Sequence, residues 1–131
     1  MLAGVERLRR SSPYLLTALL VLAGASHLLR PAWYDALVPP LLPGGPRTWT
    51  LGSGVVELLV AGAVAAPRTR RAGGLAAAAL FVAVLPGNVW MAIEPGTVPR
   101  WAAIARLPLQ VPLVLWGLQV AGKLPSTGRR A

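Results

Sequence analysis

The sequence predicts an all-α membrane protein: a four-transmembrane-helix bundle of up-and-down topology, with an apolar, Pro-rich outer loop between helices 1 and 2. Three observations predict it. The chain is 55% hydrophobic with a mean hydropathy of +0.59, too apolar for a domain of 131 residues to hide its surface from water. The apolar residues gather in four runs of about the length of a membrane helix. All the charges but Glu57 and Arg106 lie between and outside those runs, with Lys and Arg biased to one side.

The first run covers residues 13–29, within a span drawn at 13–30. Ser12 is a good N-cap and Pro13 suits the first helical position, so a helix is expected to start there. The run is about 26 Å long, a little short for a core of ~30 Å, and Arg10 and Arg30 can snorkel at its ends. The connection 31–48 is long, proline-rich and apolar, with Trp33, Tyr34 and Trp49 as interfacial anchors. It reads equally as a lid over the bundle mouth and as an anchor in the outer interface. The second run, 51–66, is extended by Trp49 to a span of 49–66 and closed by Pro67. The third covers 72–91 with Pro86 near its end, and the fourth covers 101–121 with Pro108 and Pro112 inside it. Prolines are tolerated in membrane helices where neighbours satisfy the freed carbonyls. One domain, 1–131, accounts for all four spans, and 122–131 reads as a flexible basic tail.

Charge sets the expected orientation. Arg7, Arg9, Arg10, Arg68, Arg70, Arg71, Lys123, Arg129 and Arg130 fall on one side; Arg30, Arg47, Arg100 and Arg106 fall on the other. Positive-inside bias then puts both termini in the cytoplasm and the chain in the cell (inner) membrane as a multi-pass protein. The amino terminus also reads as a signal peptide, with Ala23-Gly24-Ala25 as a cleavage site. Cleavage would leave three spans and move the carboxyl terminus outside, against the charge count. High arginine with a single lysine fits a GC-rich bacterial genome.

Composition excludes several functions. Without cysteine there is no disulfide, thiolate metal site or dithiol chemistry within the chain. One histidine argues against a multi-histidine metal or haem site. The pI of about 11.9 belongs to the basic rim rather than to nucleic-acid binding, since no recognition motif accompanies it.

The candidate ligand-binding residues are His27, Glu57, Asn88, Arg106 and Gln110. Glu57 lies inside a span, where an ionisable group is expensive and rarely lacks a partner or a role. It falls about 12 Å below the outer end of its helix, and Arg106 and Gln110 fall roughly 6–13 Å down theirs. His27 and Asn88 lie near the outer ends of theirs. All five share the outer half, and nothing comparable is expected in the inner half. Gly54, Glu57, Ala61 and Ala65 form a small-residue stripe that allows close helix approach. Arg106 is the expected partner of Glu57, each charge offsetting the other's desolvation. The same cluster also reads as structural glue that fixes helix packing.

Several blocks together resemble the DoxX-like family of small four-helix membrane proteins. They are Ala23-Gly24 with His27, Pro31 and Tyr34; Pro39 and Pro43; Gly54-Val55-Val56-Glu57; Pro86-Gly87-Asn88 with Met91; and Arg106-Leu107-Pro108-Leu109-Gln110. The resemblance runs from about Tyr14 to Gly117. It implies kinship with a subunit of a membrane thiosulfate–quinone oxidoreductase and with relatives in redox-stress complexes, most members having no established activity. The family's recurring polar positions match the five residues above. The missing cysteine departs from any thiol-based redox role.

The expected function is binding of a quinone or lipid-like amphipathic ligand in a polar outer pocket. No flavin, haem or metal site is evident, so catalysis would require membership of a quinone-linked oxidoreductase as a membrane subunit. His27 or Glu57 would exchange protons with a quinone's ring oxygens, and Arg106 would stabilise a developing oxyanion. The alternatives are a non-catalytic scaffold for a partner protein or homo-oligomer, and a transporter. Membrane lipids are the default partners.

Overall fold

The computed structural model describes residues 1–94 and 98–123. Its helices are α1 (Leu2–Leu29), α2 (Pro31–Asp35), α3 (Pro46–Ala65), α4 (Arg70–Ala83), α5 (Leu85–Ile93) and α6 (Arg100–Val120). Four stretches are long and apolar enough to cross a membrane: α1, α3, α4 with α5, and α6. This is the four-helix bundle the sequence predicts, and its architecture is compatible with a multi-pass membrane protein.

α1 starts at Leu2, well before the expected cap at Ser12. Pro13 lies inside the helix and costs it one backbone bond, to the Arg9 carbonyl, without ending it. Local bonds support this stretch: Arg10 Nη2 donates to Glu6 Oε1 at 2.9 Å, and Ser11 Oγ donates to the Arg7 carbonyl at 2.8 Å. At 28 residues α1 is about 42 Å long, so its first turns, carrying Arg7, Arg9 and Arg10, extend past a ~30 Å core.

The third span is two helices. Pro86 stands in the first turn of α5, and without its N–H the α4 ladder cannot run on unbroken. By contrast α6 carries Pro108 and Pro112 and stays continuous. It ends at Gly122, whose φ of +73° suits a helix C-cap; the Lys123 N–H then reaches the Leu118 carbonyl at 2.9 Å. Gly122 and Lys123 therefore finish the helix rather than begin a tail, and the tail expected beyond them lies outside the described residues.

Packing follows the small residues. At Gly24 of α1 an added Cβ would meet the Gly54 carbonyl of α3 at 2.9 Å, so the two backbones touch. α4 and α6 approach as closely, a Cβ on Gly117 lying 2.7 Å from the Ala78 nitrogen. The bundle thus runs α1 against α3, α3 against α4, and α6 against α4 and α5. The C-terminal end of α3 is capped from α4: Arg70 Nε and Nη2 donate to the Val64 and Ala65 carbonyls at 2.9 and 3.0 Å.

The apolar core comprises Leu16, Leu20, Val60, Ala61, Val64, Ala77 and Phe81. Near its inner end a polar clip joins α1 to α6: Trp116 Nε1 donates to Ser12 Oγ at 2.8 Å, and Ser12 Oγ donates to Gln119 Oε1 at 3.0 Å. This contact is smaller than the five-residue cluster around Glu57 and lies at the other end of the core. Ser12 serves as this bridge because α1 continues through it, which leaves it no helix end to cap.

Candidate functional site

Above the core the helices part around a cavity of about 390 Å³. Its walls are apolar, with Leu19, Leu20, Phe81, Val84 and Leu113 among them. The connection after α1 partly covers the top: Tyr34, Leu37, Val38, Pro39 and Leu42 all line the space. The proline-rich segment therefore folds back over the bundle mouth. Its apolar side chains line a cavity, which is why it lacks the polarity of a solvated loop.

All five sequence-predicted residues line this cavity: His27, Glu57, Asn88, Arg106 and Gln110. Each arrives by a different local device. Glu57 and Thr50 lie seven apart on α3, on the face that also carries Gly54, so the stripe that contacts α1 turns them inward. His27 is one turn beyond Gly24 on α1. Asn88 enters because Pro86 restarts the helix just before it. Gln110 is one turn below Arg106 on α6.

The expected Glu57–Arg106 pair does not form among the described residues. Arg106 is exposed, and α6 packs on α4 and α5 instead of on α3. The neighbour of Glu57 is His27, brought alongside by the Gly24–Gly54 contact. His27 Nδ1 lies 3.1 Å from Glu57 Oε2 and 2.7 Å from the Ala23 carbonyl oxygen. One ring proton cannot serve both acceptors well, and the Ala23 carbonyl is the nearer of the two. Glu57 Oε2 is consequently sealed from solvent without a hydrogen bond, although a charge-pair distance from the ring.

Gln110 Oε1 is sealed and unpartnered in the same way. Their residues are deeply buried, Glu57 at 7% and Gln110 at 9% exposure, where a polar atom without a partner is costly. Asn88, at 5%, is equally deep.

Two contributors were not among the predicted site residues. Tyr34 stacks on the His27 ring at 3.8 Å between centroids, and its hydroxyl lies 2.6 Å from Ser26 Oγ. Thr50 is 2% exposed and faces the cavity. Helical spacing from Gly54 and Glu57 would have found Thr50; no periodic signal points to Tyr34, which reaches the site from the short helix α2.

The covering loop is held at two points. Arg47 Nε donates to Asp35 Oδ2 at 2.9 Å, and Trp49 Nε1 donates to the Pro43 carbonyl at 2.8 Å. Asp35 Oδ1 and Thr50 Oγ1 both lack a partner in strict hydrogen-bond geometry, yet the hydroxyl is near enough to favour the charged carboxylate. The Thr50 hydroxyl, opposed by burial and joined by the Arg47 guanidinium, holds the Asp35 carboxyl below its ordinary value.

No curated protein and no solved structure matches the chain. A family model does match, over residues 16–121, a stretch that holds all five of the sequence-predicted cavity residues. The chain therefore belongs to the family described as a domain of unknown function, DUF8561.

Proposed function

We propose that this protein binds an amphipathic, quinone-like or lipid-like ligand in the cavity at the outer end of its bundle. The observation that carries the reading is an apolar-walled space of about 390 Å³ lined by buried Glu57 and Gln110, each of which keeps a side-chain oxygen without a hydrogen-bond partner among the described residues. Apolar walls with a few convergent polar groups are what small-molecule sites offer. The ligand's tail would lie between the helices and its head against Glu57, Gln110, Asn88 and His27, with Arg106 at the rim. If the ligand is a quinone, His27 and Glu57 are the groups placed to exchange protons with it, within a membrane redox complex that supplies the electrons. The resemblance of the blocks around Glu57 and Gln110 to the DoxX-like family supports the same reading.

In this proposal the chain sits in a bacterial inner membrane with both termini in the cytoplasm, as its charge bias supports. A reporter fused after Ala131 is expected to be active only on the cytoplasmic side, and activity outside would overturn the orientation.

The ligand reading is tested by native mass spectrometry of the detergent-extracted protein beside Glu57→Gln. Wild type is expected to carry a specific apolar adduct, with occupancy reduced roughly 10-fold or more in the variant, since hydrogen bonds to charged groups are worth about 1.5–3 kcal/mol. A folded wild type without a specific adduct contradicts the proposal. A scaffold role is then the reading to pursue. It is favoured by α6, whose apolar window is only 17% buried, the least of the four spans.

A further inference from the structure

The polarity of the unpartnered atoms says which kind of ligand head the cavity takes. This inference rests on the ligand reading above and deepens it. Among the described residues that line the cavity, the buried side-chain atoms without a hydrogen-bond partner are oxygens: Glu57 Oε2, Gln110 Oε1 and Thr50 Oγ1. The Thr50 hydroxyl has Asp35 nearby to receive its proton. Glu57 Oε2 has His27 Nδ1 at 3.1 Å, a group it shares with the nearer Ala23 carbonyl, and the Gln110 amide oxygen has no hydrogen-bond partner among the described residues; a carboxylate offers acceptors only. His27 adds to the imbalance. Its Nδ1 proton is directed at the Ala23 carbonyl, so in the neutral ring Nε2 is a further acceptor. Donors line the cavity too: the Asn88 and Gln110 amides each pair N–H groups with an acceptor oxygen, and Arg106 is exposed, where water can satisfy its N–H groups, so the Glu57 carboxylate leaves the acceptors in surplus.

We infer that the site selects a neutral head group that donates hydrogen bonds, a hydroxyl-bearing one, over a carbonyl-bearing head of the same shape. A carbonyl head would set its own lone pairs against Glu57 Oε2 and Gln110 Oε1, leaving those atoms desolvated and unpaired. A hydroxyl head would satisfy at least one of them on entry. A cationic amine is a poorer fit, since Arg106 lines the same cavity. For a quinone-like ligand the consequence is a preference for the reduced diol over the oxidised dione.

The test uses the full-length protein in nanodiscs and three probes of one size class: a short-tailed alkyl hydroquinone, the corresponding alkyl quinone, and the hydroquinone's dimethyl ether. The hydroquinone is kept under anaerobic, reducing conditions. It is expected to bind at least about 10-fold more tightly than either other probe, the return on one well-made hydrogen bond. Gln110→Leu is expected to narrow that gap, with melting temperature followed to confirm that the variant folds. Should Gln110→Leu fail to fold, the wild-type ranking alone decides. Equal affinity for the three probes, or tighter binding of the quinone, overturns the donor preference and leaves the amphipathic-ligand reading standing. Failure of all three to bind overturns that reading and this inference together.

Discussion

Asp35 carries a charge that helps to hold the proline-rich connection over the cavity. Its partner Arg47 sits at the start of α3, so the ion pair ties the end of α2 to the next span across the proline-rich segment between them. The Asp35 carboxyl is held below its ordinary value of 3.8, chiefly by the Thr50 hydroxyl. A carboxyl lowered in this way stabilises the closed arrangement above that ordinary value, and the contribution is lost as pH falls through the folded-state value. Acidification below about pH 3.8 is therefore expected to speed exchange of a bound probe. Asp35→Asn is expected to show fast exchange already at neutral pH and little further acceleration in acid. Stopped-flow displacement of a fluorescent amphiphile would measure both.

Residue chemistry was legible in the sequence only in part, and the reason is geometric. Depth along a helix follows from counting residues, so the rise per residue alone puts the five polar positions in one half of the bundle. Lateral adjacency does not follow from counting. It depends on which helix packs against which, and Gly24 against Gly54 made His27, not Arg106, the neighbour of Glu57. Electrostatic preference alone favoured the arginine; backbone approach decided against it.

At the scale of elements, small residues set the spacing and prolines set the breaks. A methyl group on Gly24 has nowhere to go, because the nearest atom at 2.9 Å is backbone. Gly24→Ala is expected to cost about 1–3 kcal/mol and to disturb the His27–Glu57 contact. Gly62, in the same α3, has nothing within 4 Å of its added Cβ. Gly62→Ala is therefore expected to be neutral or to stabilise by about 0.5–1 kcal/mol through helix propensity. Thermal unfolding in one detergent would compare the two variants, and equal shifts would contradict the packing account. The prolines show why helix ends were harder to read than helix existence. Pro13 is passed over by α1, Pro86 divides the third span, and Pro108 and Pro112 sit within α6. All four lose the same N–H; what differs is the tertiary support around each, which no local pattern encodes.

In the whole molecule, an apolar core at one end of the bundle underlies a partly polar cavity at the other. The four-span architecture was legible because it depends on length and hydropathy, properties summed over many residues. The cavity was legible as a level but not as a volume, since its roof is a loop whose fold-back rests on the Arg47, Trp49 and Tyr34 contacts. The inner Ser12–Trp116–Gln119 clip was missed because Ser12 also looked like a helix cap. The central claim is that the cavity, and not the lipid-facing surface, holds a specific amphipathic molecule. Photolabelling tests it most directly, with a diazirine-bearing alkyl hydroquinone added to the protein in membranes and adducts mapped by mass spectrometry. Labels on the cavity walls at Leu19, Phe81 or Leu113, removed by excess unlabelled hydroquinone, are the predicted result. Labels spread over outward-facing residues such as Leu59, Val111 and Leu115, and unaffected by competitor, would contradict the claim.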